Sequence, residues 1–273
     1  MKKLLSILLI LTLTGLAFAQ KYQPTWESID SRPVPEWFED AKLGIFIHWG
    51  VFSVPAWAPT DAGIYDKYAS LYWYRLMESG SKVHSDFVEF HNRNYGGETK
   101  YQDFVNDFTC KLFRPADWAE IIRESGARYV VLTSKHHEGF TLWPSHESLN
   151  WNAVNAGPHR DLAGELIEAV RAEGLRMGYY YSLLEWYNPL YRSDPERYVY
   201  EHMIPQMKDL VNSYEPDIVW ADGEWDHPSD VWKSTEFLSW LYNESPVKDD
   251  VVVNDRWGKE TRVFRKNLGS SLD

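Results

Sequence analysis

An α/β fold, a (β/α)8-type TIM-like barrel, is what this sequence predicts, and three observations predict it. Short apolar strands alternate with amphipathic helices along most of the chain. Each strand runs out into polar or aromatic residues, as expected where chemistry gathers at strand C-termini. The competing doubly wound sheet would carry a Gly-rich phosphate loop after its first strand, and Gly44 alone does not make one.

Residues 20–39 form a Pro-rich lead-in. The first strand is Leu43-Gly44-Ile45-Phe46-Ile47, with His48 at its C-terminal end. Residues 51–113 are aromatic and turn-rich, with helices expected near 71–77 and 101–108. A segment that long exceeds a connection, and after a barrel strand it is expected to wall a pocket. Regular alternation follows. Pro115 opens a helix with the stripe Trp118, Ile121 and Ile122, ended by Gly126. Tyr129-Val130-Val131-Leu132-Thr133 is the second strand, running into Lys135-His136-His137-Glu138-Gly139. Asp161 caps a helix carrying Leu162, Leu166, Ile167 and Val170, closed by Gly174. The third strand, over 177–182, leads to Glu185-Trp186. One helix over 198–211, striped by Met203, Met207 and Leu210, precedes the fourth strand, Ile218-Val219-Trp220. That strand delivers Asp222 and breaks at Gly223. A helix over 235–242 and a fifth strand over 251–255 follow. Five strands do not close an eight-stranded barrel, so an incomplete barrel is expected.

The N-terminus has the form of an export signal: Lys2 and Lys3, an apolar run over 4–13, then Ala17-Phe18-Ala19 as a small-x-small site before Gln20. The expected division is a signal peptide over 1–19, a catalytic barrel portion over 20–262 and a tail over 263–273. The expected location is periplasmic or extracellular, or lysosomal in a eukaryote. No other apolar run reaches membrane-spanning length. With 28 basic and 40 acidic residues the net charge is −12, and loss of Lys2 and Lys3 takes it to −14. That balance argues against nucleic acid and anionic membranes as partners. Cys110 is the sole cysteine, so neither an intrachain disulfide nor a thiolate metal cluster can form. Fourteen tryptophans suit a carbohydrate-facing cleft, although most must be core residues. Oligomeric state is not legible.

The strand ends gather His48, His136, His137, Glu138, Tyr180 or Tyr181, Glu185, Asp222, Glu224 and Asp255 around one mouth. Glycoside hydrolysis needs two carboxyl groups, and Asp222 between Trp220 and Trp225 is the first candidate. Asp before Gly also caps turns, which is the plain alternative. Neutral imidazoles bind sugar hydroxyls as donor and acceptor at once. The same histidines with an acid would also suit a metal ion, provided the strand has ended before His136, since neighbours on a strand point to opposite faces. Glu138 and Glu224 read as salt-bridged rim residues.

Five stretches together resemble the α-L-fucosidases of glycoside hydrolase family 29: Gly44-Ile45-Phe46-Ile47-His48-Trp49-Gly50, Thr133-Ser134-Lys135-His136-His137-Glu138-Gly139-Phe140, Gly157-Pro158-His159-Arg160-Asp161, Ser182-Leu183-Leu184-Glu185-Trp186 and Trp220-Ala221-Asp222-Gly223-Glu224-Trp225. The resemblance runs from about Trp37 to Trp257, and Asn254-Asp255-Arg256-Trp257 is similar to the animal branch. It implies a retaining exo-hydrolase of terminal α-L-fucose on oligosaccharides or glycoproteins, with a barrel followed by a β-sandwich and no metal or other cofactor. Asp222 matches the family nucleophile. His48, His136 and His137 match its fucose-binding histidines, Tyr180 its third-strand tyrosine and Trp220 a pocket tryptophan. Many members carry Glu-Trp where this chain has Ser70-Leu71 before Tyr72-Trp73-Tyr74-Arg75. The family also continues past Gly258 to an acid/base glutamate, which residues 262–273 do not match, as a gene fragment or shifted frame would explain. A fucose-binding protein without its proton donor and a metal-dependent hydrolase are the other readings.

Overall fold

A computed structural model describes residues 21–261. The proposed signal peptide and the tail over 263–273 lie outside the described residues. Five strands form one sheet, in the order of the chain and parallel throughout: β1 (Gly44–Ile47), β2 (Tyr129–Lys135), β3 (Arg176–Ser182), β4 (Ile218–Asp222) and β5 (Val252–Val253). Sequential parallel order with intervening helices is the topology of a TIM-like barrel wall.

Register explains which side chains meet. Phe46 pairs with Val131, Val131 with Gly178, Gly178 with Ile218 and Ile218 with Val252, giving one rung across all five strands. The next rung toward the C-termini carries Thr133, Tyr180 and Trp220. Val131, Tyr180, Ile218 and Val252 pack together on this face with Trp37, Phe38 and Tyr129 against them. Gly178 is required in its rung, because a Cβ there would stand 2.4 Å from Cβ of Ile218. The alternate residues Val130, Leu132, Tyr179, Tyr181, Val219 and Ala221 face the main core with the helices. This two-faced burial is why the strands read as continuous apolar runs.

The helices follow their stripes. Pro115–Glu124 starts at its proline, and Leu162–Ala172 is capped by Asp161, whose carboxylate accepts from Gly164 N at 2.9 Å and from Tyr214 OH at 2.8 Å. Ser234–Asn243 precedes β5, which is shorter than the expected 251–255. The expected helix over 198–211 is instead three pieces: Pro195–Tyr198, a π-turn at Val199–Met203 and Ile204–Tyr214. Pro205 offers no N–H to the turn before it, and the widened turn absorbs that loss. Within the insertion, Tyr72–Met77 is helical and Tyr101–Asn106 is a 3-10 helix, near the expected places. His84–Asn94 is an unexpected helix held by only two buried side chains, Phe87 and His91, which gives too weak a stripe to read. His91 is satisfied by Tyr72 OH at 3.1 Å and the Thr99 carbonyl at 2.8 Å. Trp143, Trp232 and Trp257 are fully buried, so these tryptophans are core.

Candidate active site

A cleft of about 1020 Å³ opens over the C-terminal ends of β1 to β4, lined by His48, His136, His137, Tyr180, Trp220 and Asp222 among others. These are the six residues matched to the family's site by the resemblance, and all six meet there. Its outer wall is the insertion, including Tyr65, Tyr68, Ser70 and Leu71. A second cleft of similar size lies at the N-terminal ends, between Arg32, Trp37, Arg176 and Tyr242. Its arginines are already engaged: Arg32 by the Val251 carbonyl at 2.7 Å and Arg176 by Asp217 at 2.6 Å.

Asp222 ends β4, and its side chain is 13% exposed, enough to reach a ligand but not to be freely hydrated. Tyr180 OH donates to Asp222 Oδ2 at 2.6 Å. Burial first, then the Asp222 charge, push the Tyr180 phenol well above its ordinary range, so it stays a donor. The Arg256 guanidinium pairs with Asp222 Oδ1 and, through Nε at 3.2 Å, with Glu224 Oε2. Gly223 makes the strand end possible: its φ is +73°, and a Cβ there would stand 2.8 Å from Leu184 Cβ and 2.9 Å from Ser182 Oγ.

β2 ends at Lys135, so His136 and His137 lie beyond the pleat and both reach the cleft. Their ring centroids are 4.0 Å apart. His136 stacks on Tyr180 at 5.6 Å and 10°, with Nδ1 3.4 Å from Glu138 Oε2. His137 Nδ1 lies 2.6 Å from Ser182 Oγ, and its Nε2 turns toward Asp222 Oδ2, 4.0 Å away. Burial, then the neighbouring His136 and Arg256, hold the His137 pKa well below the usual imidazole range. Burial and His136 likewise lower His48 to about 4, with Asp222 opposing. His48 and His137 are therefore neutral near pH 7. Phe46 meets Trp220 edge-on at 5.3 Å, which leaves an apolar wall beside the polar groups.

Several expectations shift. Glu224 is salt-bridged to Arg256 as expected, whereas Glu138 has only the His136 ring beside its Oε2, and the two are buried at 1% (Glu138) and 0% (Glu224) exposure rather than on a rim. Glu185 lies behind the site, not at its mouth: its carboxylate accepts from Lys135 Nζ at 2.7 Å and lies 3.0 Å from His202 Nε2. Burial raises its pKa, but Lys135 and His202 overcome that and hold it at about 2. Tyr181 faces the helices and pairs with Gln206 at 2.8 Å, which leaves Tyr180 as the cleft residue. Arg256 and Phe46 carried no expected role. The signal for Arg256 was its place just after the fifth strand. Asn254 continues the ladder with its side chain, accepting from Ala221 N at 3.1 Å and donating to Ala221 O at 2.8 Å, and so carries Arg256 to Asp222. Among the described residues no three His, Cys, Asp or Glu side chains are arranged to hold a metal ion.

The family model described as Alpha-L-fucosidase matches residues 10–269. An alpha-L-fucosidase of Dictyostelium discoideum is 51% identical over 268 residues, covering 95% of this chain and 57% of the relative. The human tissue alpha-L-fucosidase is 50% identical over 246 residues, covering 88% and 50%. The chain thus spans about half the length of the curated relatives it matches. Among solved structures, the Thermotoga maritima alpha-fucosidase in complex with fucose superposes with a TM-score of 0.73 at 38% identity, covering 87% of this chain and 57% of that one. The same enzyme with a mechanism-based inhibitor gives 0.74 at 39% identity, covering 87% and 56%.

Proposed function

Since the chain belongs to the alpha-L-fucosidase family, we propose that it carries the fucose-binding and nucleophilic half of a retaining exo-glycosidase, acting on terminal α-L-fucose of oligosaccharides or glycoproteins. The observation that carries this reading is one carboxylate, Asp222, facing a cleft in which His48 and His137 are neutral, beside an apolar wall. In this reading Asp222 attacks the anomeric carbon, the bond to the aglycone oxygen breaks, and water releases fucose from the glycosyl-enzyme with retained configuration. Tyr180 at Oδ2 and Arg256 at Oδ1 hold the two oxygens of the attacking carboxylate and balance its charge. His48, His136 and His137 take sugar hydroxyls, and Trp220 with Phe46 packs the ring's apolar edge.

A second reading is binding of fucose without efficient turnover of natural substrates. The observation favouring it is the burial of Glu138 and Glu224, which keeps both from an aglycone oxygen in the cleft. The two readings separate cleanly. L-Fucose raises the thermal unfolding midpoint under both. Only the first gives turnover of natural fucosides, lost in Asp222→Gly and partly restored by azide. A folded chain that L-fucose does not stabilise at 100 times a millimolar-range dissociation constant, where about 2.7 kcal/mol is expected, sinks both. Export belongs to the same proposal. Its check is N-terminal sequencing of the secreted protein, expected to begin at Gln20.

A further inference from the structure

Ser182 sits opposite Asp222 in the β3–β4 register and is fully buried. Its hydroxyl has two neighbours at 2.6 Å: the Leu184 carbonyl and His137 Nδ1. A carbonyl can only accept, and a serine hydroxyl has one hydrogen to give. The hydrogen therefore goes to Leu184, and Oγ meets His137 with a lone pair. His137 Nδ1 must carry the proton. With the ring neutral, Nε2 is left bare, and it faces the nucleophile carboxylate across 4.0 Å with no proton between them.

We infer that Ser182 is a positioning residue: it locks His137 as the Nδ1–H tautomer, so that Nε2 acts as acceptor for one hydroxyl of the bound sugar beside Asp222. Two acceptors facing each other repel unless a donor enters, so this corner demands an O–H from the ligand. A deoxy or O-alkyl sugar at that position leaves Nε2 buried and unsatisfied. Gly223 belongs to the device, since any side chain there would displace Ser182 Oγ. The choice of sugar as donor rests on the fucosidase reading; the tautomer does not.

The first test is the nitrogen-15 spectrum of labelled histidines in the ligand-free chain, with His137 assigned by its loss in His137→Asn. The expected pattern is a protonated Nδ1 and an unprotonated Nε2. A protonated Nε2 overturns the proposal. The second test measures binding of L-fucose and its 2-, 3- and 4-deoxy analogues to the wild type and to Ser182→Ala. Ser182→Ala is expected to weaken L-fucose about tenfold, the worth of one hydrogen bond. One deoxy analogue should lose its wild-type penalty in the variant, a coupling that a general loosening of the site would not single out. Unchanged penalties for all three analogues overturn the proposal. If Ser182→Ala does not fold, Ser182→Cys, a poorer acceptor of similar size, should shift the same analogue in the same direction. An Nδ1–H tautomer in a folded chain that binds no L-fucose supports the Ser182 lock and overturns the fucosidase reading instead.

Discussion

Replacing Lys135 with Met should be among the most damaging single changes in this chain, although the side chain touches no ligand. Lys135 is 0% exposed, and Glu185, its partner at 2.7 Å, is 1% exposed. Without the ammonium, the Glu185 charge is left with the weaker neighbours His202 and Tyr198 inside the core. Breaking a buried pair from one side costs about 3–5 kcal/mol, because the remaining charge has lost its water and its partner. For a domain of this size that is a fall of roughly 6–20 °C in the unfolding midpoint. Glu185→Leu should cost a similar amount by stranding the ammonium. The double variant Lys135→Met/Glu185→Leu leaves no charge to strand and should recover most of the loss. Urea unfolding followed by circular dichroism, run as a double-mutant cycle, reads all three. Single losses under about 1 kcal/mol, or a double variant whose loss is the sum of the singles, would mean that water reaches the pair and would refute the argument. The pair also bears on the site, since Trp186 N, next to Glu185, donates to the His137 carbonyl at 2.7 Å. L-Fucose affinity should fall with the single variants and return with the double.

Three further outcomes follow from the geometry. Gly223→Ala should cost about 1–3 kcal/mol and weaken L-fucose binding together, because it combines a positive φ with contacts under 3 Å; equilibrium unfolding and titration calorimetry check both. Asp161→Ala loses the helix cap and the Tyr214 bond, an expected cost of about 1–2 kcal/mol in urea unfolding with little change in ligand affinity. Acidification should destabilise the fold between pH 6.5 and 4. His48 has its folded pKa lowered from 6.5 to about 4, so the unfolded chain takes up the proton first and stability present above pH 6.5 is lost on the way down. His137, at 2% exposure, contributes in the same direction, and His48, whose ring is open to solvent at the cleft, contributes less than its shift alone would give. A stability profile flat over that range would contradict neutral imidazoles at His48 and His137.

Strand identity, strand order and the gathering of His48, His136, His137, Tyr180, Trp220 and Asp222 at one mouth were all legible in the sequence. The physical reason is that both rest on local patterns: apolar runs of strand length, glycine at the break, and a parallel topology that puts every strand's C-terminus on one side. What the sequence left open turns on partners far apart in the chain. Glu185 follows its strand as Asp222 follows its own, yet only packing puts it against Lys135 and His202, behind the cleft. Pro205 was visible, but the π-turn that carries His202 inward depends on how the helix docks. Arg256 reaches Asp222 because the Asn254 side chain extends the β4 ladder, a contact across 33 residues that no periodicity encodes. The protonation of His137 was beyond any reading of the chain alone, because it is set by a single serine hydrogen already committed to the Leu184 carbonyl.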